Sequence, residues 1–406
     1  MRECYTRLPP IESRAINVLN HILNHLGEDR AAHFGAVTPP IYETSNFAFP
    51  SVAAMRAAGK GEYDTHFYTR GNNPTTAMLR AKLAALEGTE DALVFASGAA
   101  AMAAGVLGCV RAGEHVVAVQ KPYSWTRVLL RDALPRFGIE VSFVDARDPR
   151  DVERALQSNT RLIVLESPNS LTMELQDLGA IAALARPRGI RTLCDNSYAT
   201  PLLQKPAEFG IDLIVHSATK YLNGHSDVVA GVLCGARALL QEVFKGPLMT
   251  FGAILGPFEA WLILRGLRTL EVRLERIAAT TARVIEFLQD HPRIERIYYP
   301  GHRDDPQREL ALRQMRGGSG LLSFTLKCDS RAQVERFCDA LRCFLLAVSW
   351  GGHESLVWPM AVVLSGEQRP NAPVPWNLVR LSIGLEAPEV LIADLRQALD
   401  QSEILR

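Results

Sequence analysis

The sequence predicts an α/β protein: a mostly parallel central sheet of seven strands, followed by a smaller C-terminal α/β domain. Three observations predict it. Short apolar runs recur at 92–95, 116–119, 141–144, 162–165, 192–194, 213–215 and 229–234. Helix-like stretches such as 76–86, 151–157 and 178–185 lie between most of them. Residues with ligand-holding or reactive side chains stand at the carboxyl ends of the runs: Ser97-Gly98, Glu166, Asp195, and Ser217 to Lys220. Buried runs separated by helices mark a parallel sheet covered on both faces. Such sheets take their ligands outside the carboxyl ends of the strands.

The elements follow in order. Apolar spacing at Ile16, Leu19, Leu23 and Leu26, stopped by Gly27, predicts an amphipathic helix over 11–26. From there to Asn73 the chain reads as irregular, with Pro39-Pro40, Pro50, Gly59 and Gly61. A stretch of that length without elements of its own is expected to wrap another surface, such as a second subunit. The alternating part runs from Thr75 to Cys234. A long helical stretch over 259–290 then leads to the second α/β part, with strands at 294–298, 321–326 and 378–381 and helices at 332–342 and 388–399. A Pro-rich loop is expected at 366–375.

Composition narrows the function. At 406 residues the chain is too long for one simple core, so two or three domains are expected. Lys+Arg and Asp+Glu both number 44, which argues against a nucleic-acid partner. The cysteines at 4, 109, 194, 234, 328, 338 and 343 are odd in number and contain no C-x-x-C pair, which predicts reduced thiols and no structural zinc. Met1 to Pro10 lacks an apolar leader core and no run reaches the length of a membrane span, so a cytoplasmic location is expected.

The chemistry concentrates around Lys220, in Ser217-Ala218-Thr219-Lys220-Tyr221-Leu222. A lysine at the mouth of a buried sheet serves either as a Schiff-base amine for a carbonyl cofactor or simply to open the next turn. Asp195, 25 residues earlier, suits the pyridine nitrogen of pyridoxal phosphate, or else caps a turn. Ser97-Gly98-Ala99 enters an Ala-rich helix whose N-terminal N–H groups suit a phosphate, with Ser217 and Thr219 able to share it. Tyr68 and Arg70 form either a phosphate clamp or a surface pair. Tyr123 either stacks on a planar ring or is an ordinary tyrosine. Arg380 in an apolar strand needs an anion, whether a substrate carboxylate or a structural partner. Ser349-Trp350-Gly351-Gly352-His353 reads as a loop whose backbone approaches a ligand. His353 has no second ligand at metal spacing.

With these motifs in hand, the chain resembles the Cys/Met-metabolism family of pyridoxal-phosphate enzymes, of aspartate-aminotransferase-like (type I) fold, and within it the bacterial cystathionine beta-lyases. The resemblance runs from residue 60 to the C-terminus. Tyr68-x-Arg70-Gly71, Ser97-Gly98-Ala99-Ala100-Ala101, Glu166-Ser167-Pro168, Asp195-Asn196 and Ser217-Ala218-Thr219-Lys220 carry its first half. Gly224-His225-Ser226-Asp227, Arg265-Gly266-Leu267-Arg268-Thr269-Leu270, Ser349-Trp350-Gly351-Gly352 and Arg380-Leu381-x-Ile383-Gly384-Leu385-Glu386 carry the second.

The resemblance implies pyridoxal 5'-phosphate as cofactor, with Lys220 as its lysine and proton shuttle. Asp195 would face the pyridine nitrogen and Tyr123 would stack on the ring. The phosphate would lie on the backbone of Gly98 and Ala99, on Ser217 and Thr219, and on Tyr68 and Arg70 from a neighbouring subunit. Arg380 would take the substrate carboxylate beside Ser349 and Trp350. It further implies a homotetramer, a dimer of dimers with shared active sites. Residues 1–71 would complete a neighbour's site, 72–266 would bind the cofactor and 267–406 would form the C-terminal domain.

The expected activity is a carbon–sulfur β-lyase that cleaves L-cystathionine to homocysteine, pyruvate and ammonia, a step toward methionine. Ser170 and Trp350 follow the β-lyase pattern, where γ-acting relatives usually carry Asn and Leu. Val348 and His353 stand where β-lyases usually carry Tyr. That leaves a γ-acting relative or a specialised carbon–sulfur lyase or synthase as alternatives, and a non-catalytic binding protein as one of another class.

Overall fold

The structure, a computed structural model, describes residues 13–362 and 374–404. The start of the expected N-terminal helix, Met1 to Pro10 and nearly all of the Pro-rich loop lie outside the described residues.

Seven strands form the central sheet: β1 (Asp91–Phe95), β2 (His115–Val119), β3 (Glu140–Val144), β4 (Thr160–Glu166), β5 (Arg191–Asp195), β6 (Leu213–Ser217) and β7 (Gly231–Gly235). Each coincides with one of the predicted apolar runs. Their order is β1-β7-β6-β5-β4-β2-β3. Pairing is parallel between β2 and β3, β2 and β4, β4 and β5, and β5 and β6. β7 runs antiparallel to both β1 and β6.

The strands read as continuous apolar runs because both faces are covered. One face carries Ile163, Leu165, Cys194, Ile214 and Val232 into a core with helices α1 (Ser13–Asn24) and α3 (Pro74–Glu87) and the helix Leu178–Ala185. The other carries Val116, Val164, Leu193, Val215 and Leu233 against α4 (Gly98–Cys109) and the helix Arg237–Val243. The sheet grows from β2 toward β3 on one side and from β4 toward β6 on the other. A crevice therefore opens at the carboxyl ends where β2 and β4 part, the place such folds reserve for a ligand.

A second sheet has the order β10-β11-β12-β9-β8, from β8 (Ile294–Tyr298), β9 (Leu321–Leu326), β10 (Leu345–Leu346), β11 (Leu356–Pro359) and β12 (Leu378–Ser382). Its core of Phe324, Phe337, Val379, Leu381 and Leu395 is closed by the helices Arg331–Ala340 and Pro388–Ile404. The loop between β10 and β11 reaches back to the first domain, where Trp350 joins the core of the large sheet. That reach brings the C-terminal residues to the crevice.

Three expectations need correction. The stretch to Asn73 is not wholly irregular, because α2 (Val52–Lys60) forms there, capped by Ser51 Oγ accepting from Ala54 N–H at 3.1 Å. None of its residues is buried, so no apolar stripe announced it. The helical stretch over 259–290 is two helices, Pro257–Leu267 and Leu270–Gln289, parted at Arg268-Thr269. β10, β11 and the helix Arg308–Gln314 were not anticipated. Among the described residues no helix is long and apolar enough to cross a membrane.

Candidate active site

The centre is Lys220, on the turn that leaves β6. Its N–H closes on Ser217 O at 3.1 Å, and Thr219 Oγ1 accepts from Ala230 N–H at 2.9 Å while donating to Ala230 O at 3.2 Å. The turn is thereby pinned to β7's approach. The Lys220 amine donates to Ser349 Oγ at 2.5 Å and lies 5.4 Å from the Trp350 ring centre. Burial, and then the guanidinium of Arg380, push the amine down to about 8, with Asp195 opposing them. Burial and the Arg380 charge together outweigh Asp195 and disfavour the ammonium form, which readies the amine as a nucleophile or base.

Asp195 closes β5, next to Glu166 at the end of β4; the two are register partners. Two buried carboxylates side by side cannot both ionise freely. Burial and then the Asp195 charge push Glu166 up to about 8. Burial also raises Asp195, but Ser197 N–H and Oγ donate to its Oδ1 at 2.9 and 2.6 Å, and His216 and Lys220 favour its charge. Both carboxyls are thus pushed upward by burial, and the Ser197 donors with the His216 and Lys220 charges oppose that push at Asp195. Glu166 instead accepts N–H bonds from Tyr123 at 2.5 Å and Ser170 at 3.0 Å, which joins the exits of β2 and β4. Tyr123 is half-exposed over the crevice. Its phenol is raised by burial, then by Glu166 and Asp195, with Arg380 opposing them. These side chains thus lie within electrostatic reach of one another.

The turn from β1 into α4 meets the turn from β6. A Cβ on Gly98 would stand 2.9 Å from Ser217 Cβ and 3.0 Å from its Cα, so only glycine allows the approach. Ser97 Oγ accepts from Ala100 N–H at 3.1 Å. The N–H groups of Gly98 and Ala99 have no hydrogen-bond partner among the described residues, nor has Ser217 Oγ. Unpaired N–H groups at a helix start beside a free hydroxyl are a phosphate-binding arrangement.

Arg380, on β12, is 9% exposed. It donates to Ser170 O at 3.1 Å and Ser349 O at 3.5 Å and lies 4.9 Å from the centre of the Trp358 ring. It has no ion pair among the described residues, and burial pulls it down to about 10. A buried cation whose hydrogen bonds end on carbonyls is prepared for an anion from outside. Ser349 adopts φ 81°, and Gly351, at φ 83°, carries its backbone to where a Cβ would stand 2.8 Å from Tyr221 N. The loop's backbone is thereby pressed against Lys220-Tyr221, which fixes Ser349 and Trp350 over the amine.

The structure thus gathers Lys220, Asp195, Tyr123, Gly98, Ala99, Ser217, Ser349, Trp350 and Arg380 around one crevice, while the hydroxyl of Thr219 is engaged with Ala230. It does not bring Tyr68 and Arg70 to them. Both are exposed, Arg70 lies 5.5 Å from the Tyr68 ring centre, and neither side chain has a hydrogen bond or ion pair among the described residues. Two residues escaped the sequence reading. Ser197 links Asp195 to the Ser217 N–H, which it accepts at 2.7 Å; the Asp-x-Ser spacing of a turn was its available signal. Trp358 lies opposite Arg380 across the β11–β12 pair, a neighbour that sequence spacing does not reveal.

The donor set fits pyridoxal phosphate: an amine of depressed basicity, a buried carboxylate beside it, a half-exposed phenol ring and a helix start with open N–H groups. A family model described as Cys/Met metabolism PLP-dependent enzyme matches residues 21–400. The chain is 40% identical over 401 residues to an L-methionine gamma-lyase of Pseudomonas putida, covering 98% of each. It is 37% identical over 371 residues to the cystathionine beta-lyase MetC of Bacillus subtilis, covering 90% of this chain and 92% of that one. The crystal structure of metB from Corynebacterium glutamicum superposes with a TM-score of 0.88 at 32% identity, covering 94% of this chain and 98% of the other.

Proposed function

The chain belongs to the Cys/Met-metabolism family of PLP-dependent enzymes, and on that premise we propose that it is a carbon–sulfur β-lyase cleaving L-cystathionine to homocysteine, pyruvate and ammonia. Pyridoxal phosphate is the family's cofactor; when bound it acts as an electron sink that makes the substrate's Cα–H acidic. With the cofactor held there, Lys220 would be the side chain that binds it, and its Nζ, once freed by the substrate amine, would take the Cα proton. Ser349 Oγ, 2.5 Å from that nitrogen, aims it. Asp195 would favour a protonated pyridine nitrogen and Tyr123 would lie against the ring, while the N–H groups of Gly98 and Ala99 and the Ser217 hydroxyl would hold the phosphate, joined by Thr219 once its hydroxyl leaves Ala230. Arg380 holds the substrate carboxylate, so Cα and Cβ are presented to Lys220 rather than swung away. The Cβ–S bond then breaks with the electron pair leaving on sulfur, and water releases the remainder as pyruvate and ammonia.

One observation carries the β reading. The two positions that follow the β-lyase pattern both line the site: the Trp350 ring lies 5.4 Å from the Lys220 amine, and Ser170 O accepts from Arg380. A second reading, elimination or replacement at the γ-carbon, is favoured by the relatives named L-methionine gamma-lyase at 40% identity, against 37% for the named beta-lyase. It also draws on Val348 and His353, both exposed beside the site loop.

The exposed Tyr68 and Arg70, whose side chains have no hydrogen bond or ion pair among the described residues, support a homotetramer in which each pair of copies completes its sites in common. Exposed Phe34, Val37, Val52 and Met55 on the same segment supply apolar surface for that contact. Replacing Lys220 by Ala tests the function. Release of keto acid from thioether amino acids should stop, and persistent elimination would refute the role given to Lys220.

A further inference from the structure

The backbone ladder between β5 and β6 ends where the site begins. Asp195 pairs with Val215, and Asn196 N–H donates to Val215 O at 2.9 Å. From there β6 continues against β7, with His216 opposite Val232 and Ser217 opposite Gly231. Asp195 and the Ser217–Lys220 turn must stand apart to admit a ring between them, so side chains have to set their separation. On the face toward α4, Ser197 does so. On the other face the tie is Glu87, the last residue of α3. Its Oε1 accepts from Asn196 Nδ2 at 3.0 Å and from His216 Nε2. Asn196 Nδ2 donates also to Gln204 O, and Gln204 Nε2 reaches Ser167 O at 2.6 Å, which extends the tie to the end of β4.

Nothing about α3 alone favours a carboxylate there. Glu87 and Asn196 are 0% exposed and His216 1%. A negative charge at the carboxyl end of a helix opposes the helix dipole, and burial adds a desolvation cost. Glu87 Oε2 and His216 Nδ1 are buried without a hydrogen-bond partner among the described residues. An apolar side chain would fill the space with none of these penalties, but it could not accept from two strands at once.

We propose that Glu87 is a positioning residue of the cofactor site, tying the ends of β5 and β6 through Asn196 and His216 so that Asp195 and Lys220 meet the same ring. The proposal rests on reading this crevice as the pyridoxal-phosphate site. Apoenzyme of the wild type, Glu87→Leu, Glu87→Gln and Asn196→Ala is titrated with pyridoxal phosphate, and the visible circular dichroism of the bound cofactor is recorded with kcat and KM. Loss of a buried charged hydrogen bond predicts cofactor affinity weakened about tenfold or more in Glu87→Leu and Asn196→Ala. The dichroism should change, and kcat should fall more than KM rises. Glu87→Gln, which keeps one acceptor oxygen between the two donors, should recover most of the affinity and the wild-type dichroism. Wild-type affinity and dichroism in Glu87→Leu would overturn the proposal, as would a Gln variant no better than Leu. If Glu87→Leu does not fold, Asn196→Ala decides by the same criterion. A wild type that takes up no pyridoxal phosphate would strike the site reading itself, before any variant is compared.

Discussion

Replacing Arg380 by Met separates function from stability, because the two should move in different directions. Burial pulls the guanidinium down from its ordinary value to about 10. Since the folded value is the lower one, the charged form is disfavoured in the fold. That cost is present below about 10 and is lost as the pH climbs to the guanidinium's ordinary range. At 1.36 kcal/mol per pH unit it is on the order of 3 kcal/mol at neutral pH. The hydrogen bonds to Ser170 O and Ser349 O end on carbonyls, and Met keeps much of the packing against Trp358. The variant should therefore melt no earlier than the wild type, as buried charges replaced by apolar groups often do. Its function should suffer, because a substrate carboxylate loses a buried charged partner, a loss of about 3–5 kcal/mol. That is about 10²–10⁴-fold in kcat/KM, read from keto-acid release, with thermal unfolding measured in parallel. An earlier melting point together with a kcat/KM loss below about tenfold would make Arg380 a structural group and refute the reasoning.

Capture of pyridoxal phosphate by the apoenzyme needs the free Lys220 amine. Its rate should rise with pH to a plateau with a midpoint near the lysine's value of about 8. In Arg380→Met the midpoint should move upward, since a cation that depresses the lysine is gone; a wild-type midpoint above pH 10 would contradict this. Gly98→Ala places a methyl 2.9 Å from Ser217 Cβ and should weaken cofactor binding with about 1–3 kcal/mol of overpacking, measured by titration of the apoenzyme. Ser197→Ala leaves the Ser217 N–H without its acceptor and Asp195 without its Oγ donor, keeping only the backbone N–H at 197, and should cost about 1–3 kcal/mol in denaturant unfolding while lowering cofactor affinity.

The large sheet was legible because its strands are buried on both faces and so cannot alternate; Leu162 to Leu165 and Leu213 to Val215 are apolar throughout. The reversed direction of β7 left no mark, since an antiparallel strand buried on both faces reads the same. β10 was missed because Leu345 and Leu346 are exposed and only two residues long, and β11 because Trp358-Pro359 breaks a short run. In the site, the strand-end residues Asp195, Glu166 and Lys220 announced themselves by polarity after an apolar run. Ser349 and Trp350 reach Lys220 through a loop from another sheet, so only their resemblance to a family motif pointed to them. Glu87 was invisible for a different reason: a glutamate ending a helix looks like a solvent group until His216 and Asn196 are seen to close on it. Tyr68 and Arg70 remain apart from the other site residues within one chain.

The most direct test of the central claim is the keto acid released when the enzyme, loaded with pyridoxal phosphate, is given L-cystathionine. The account predicts pyruvate with homocysteine, from cleavage at Cβ–S. 2-Oxobutyrate with cysteine would contradict it and move the chain to the γ-acting branch, with Ser170 and Trp350 no longer marks of β-chemistry.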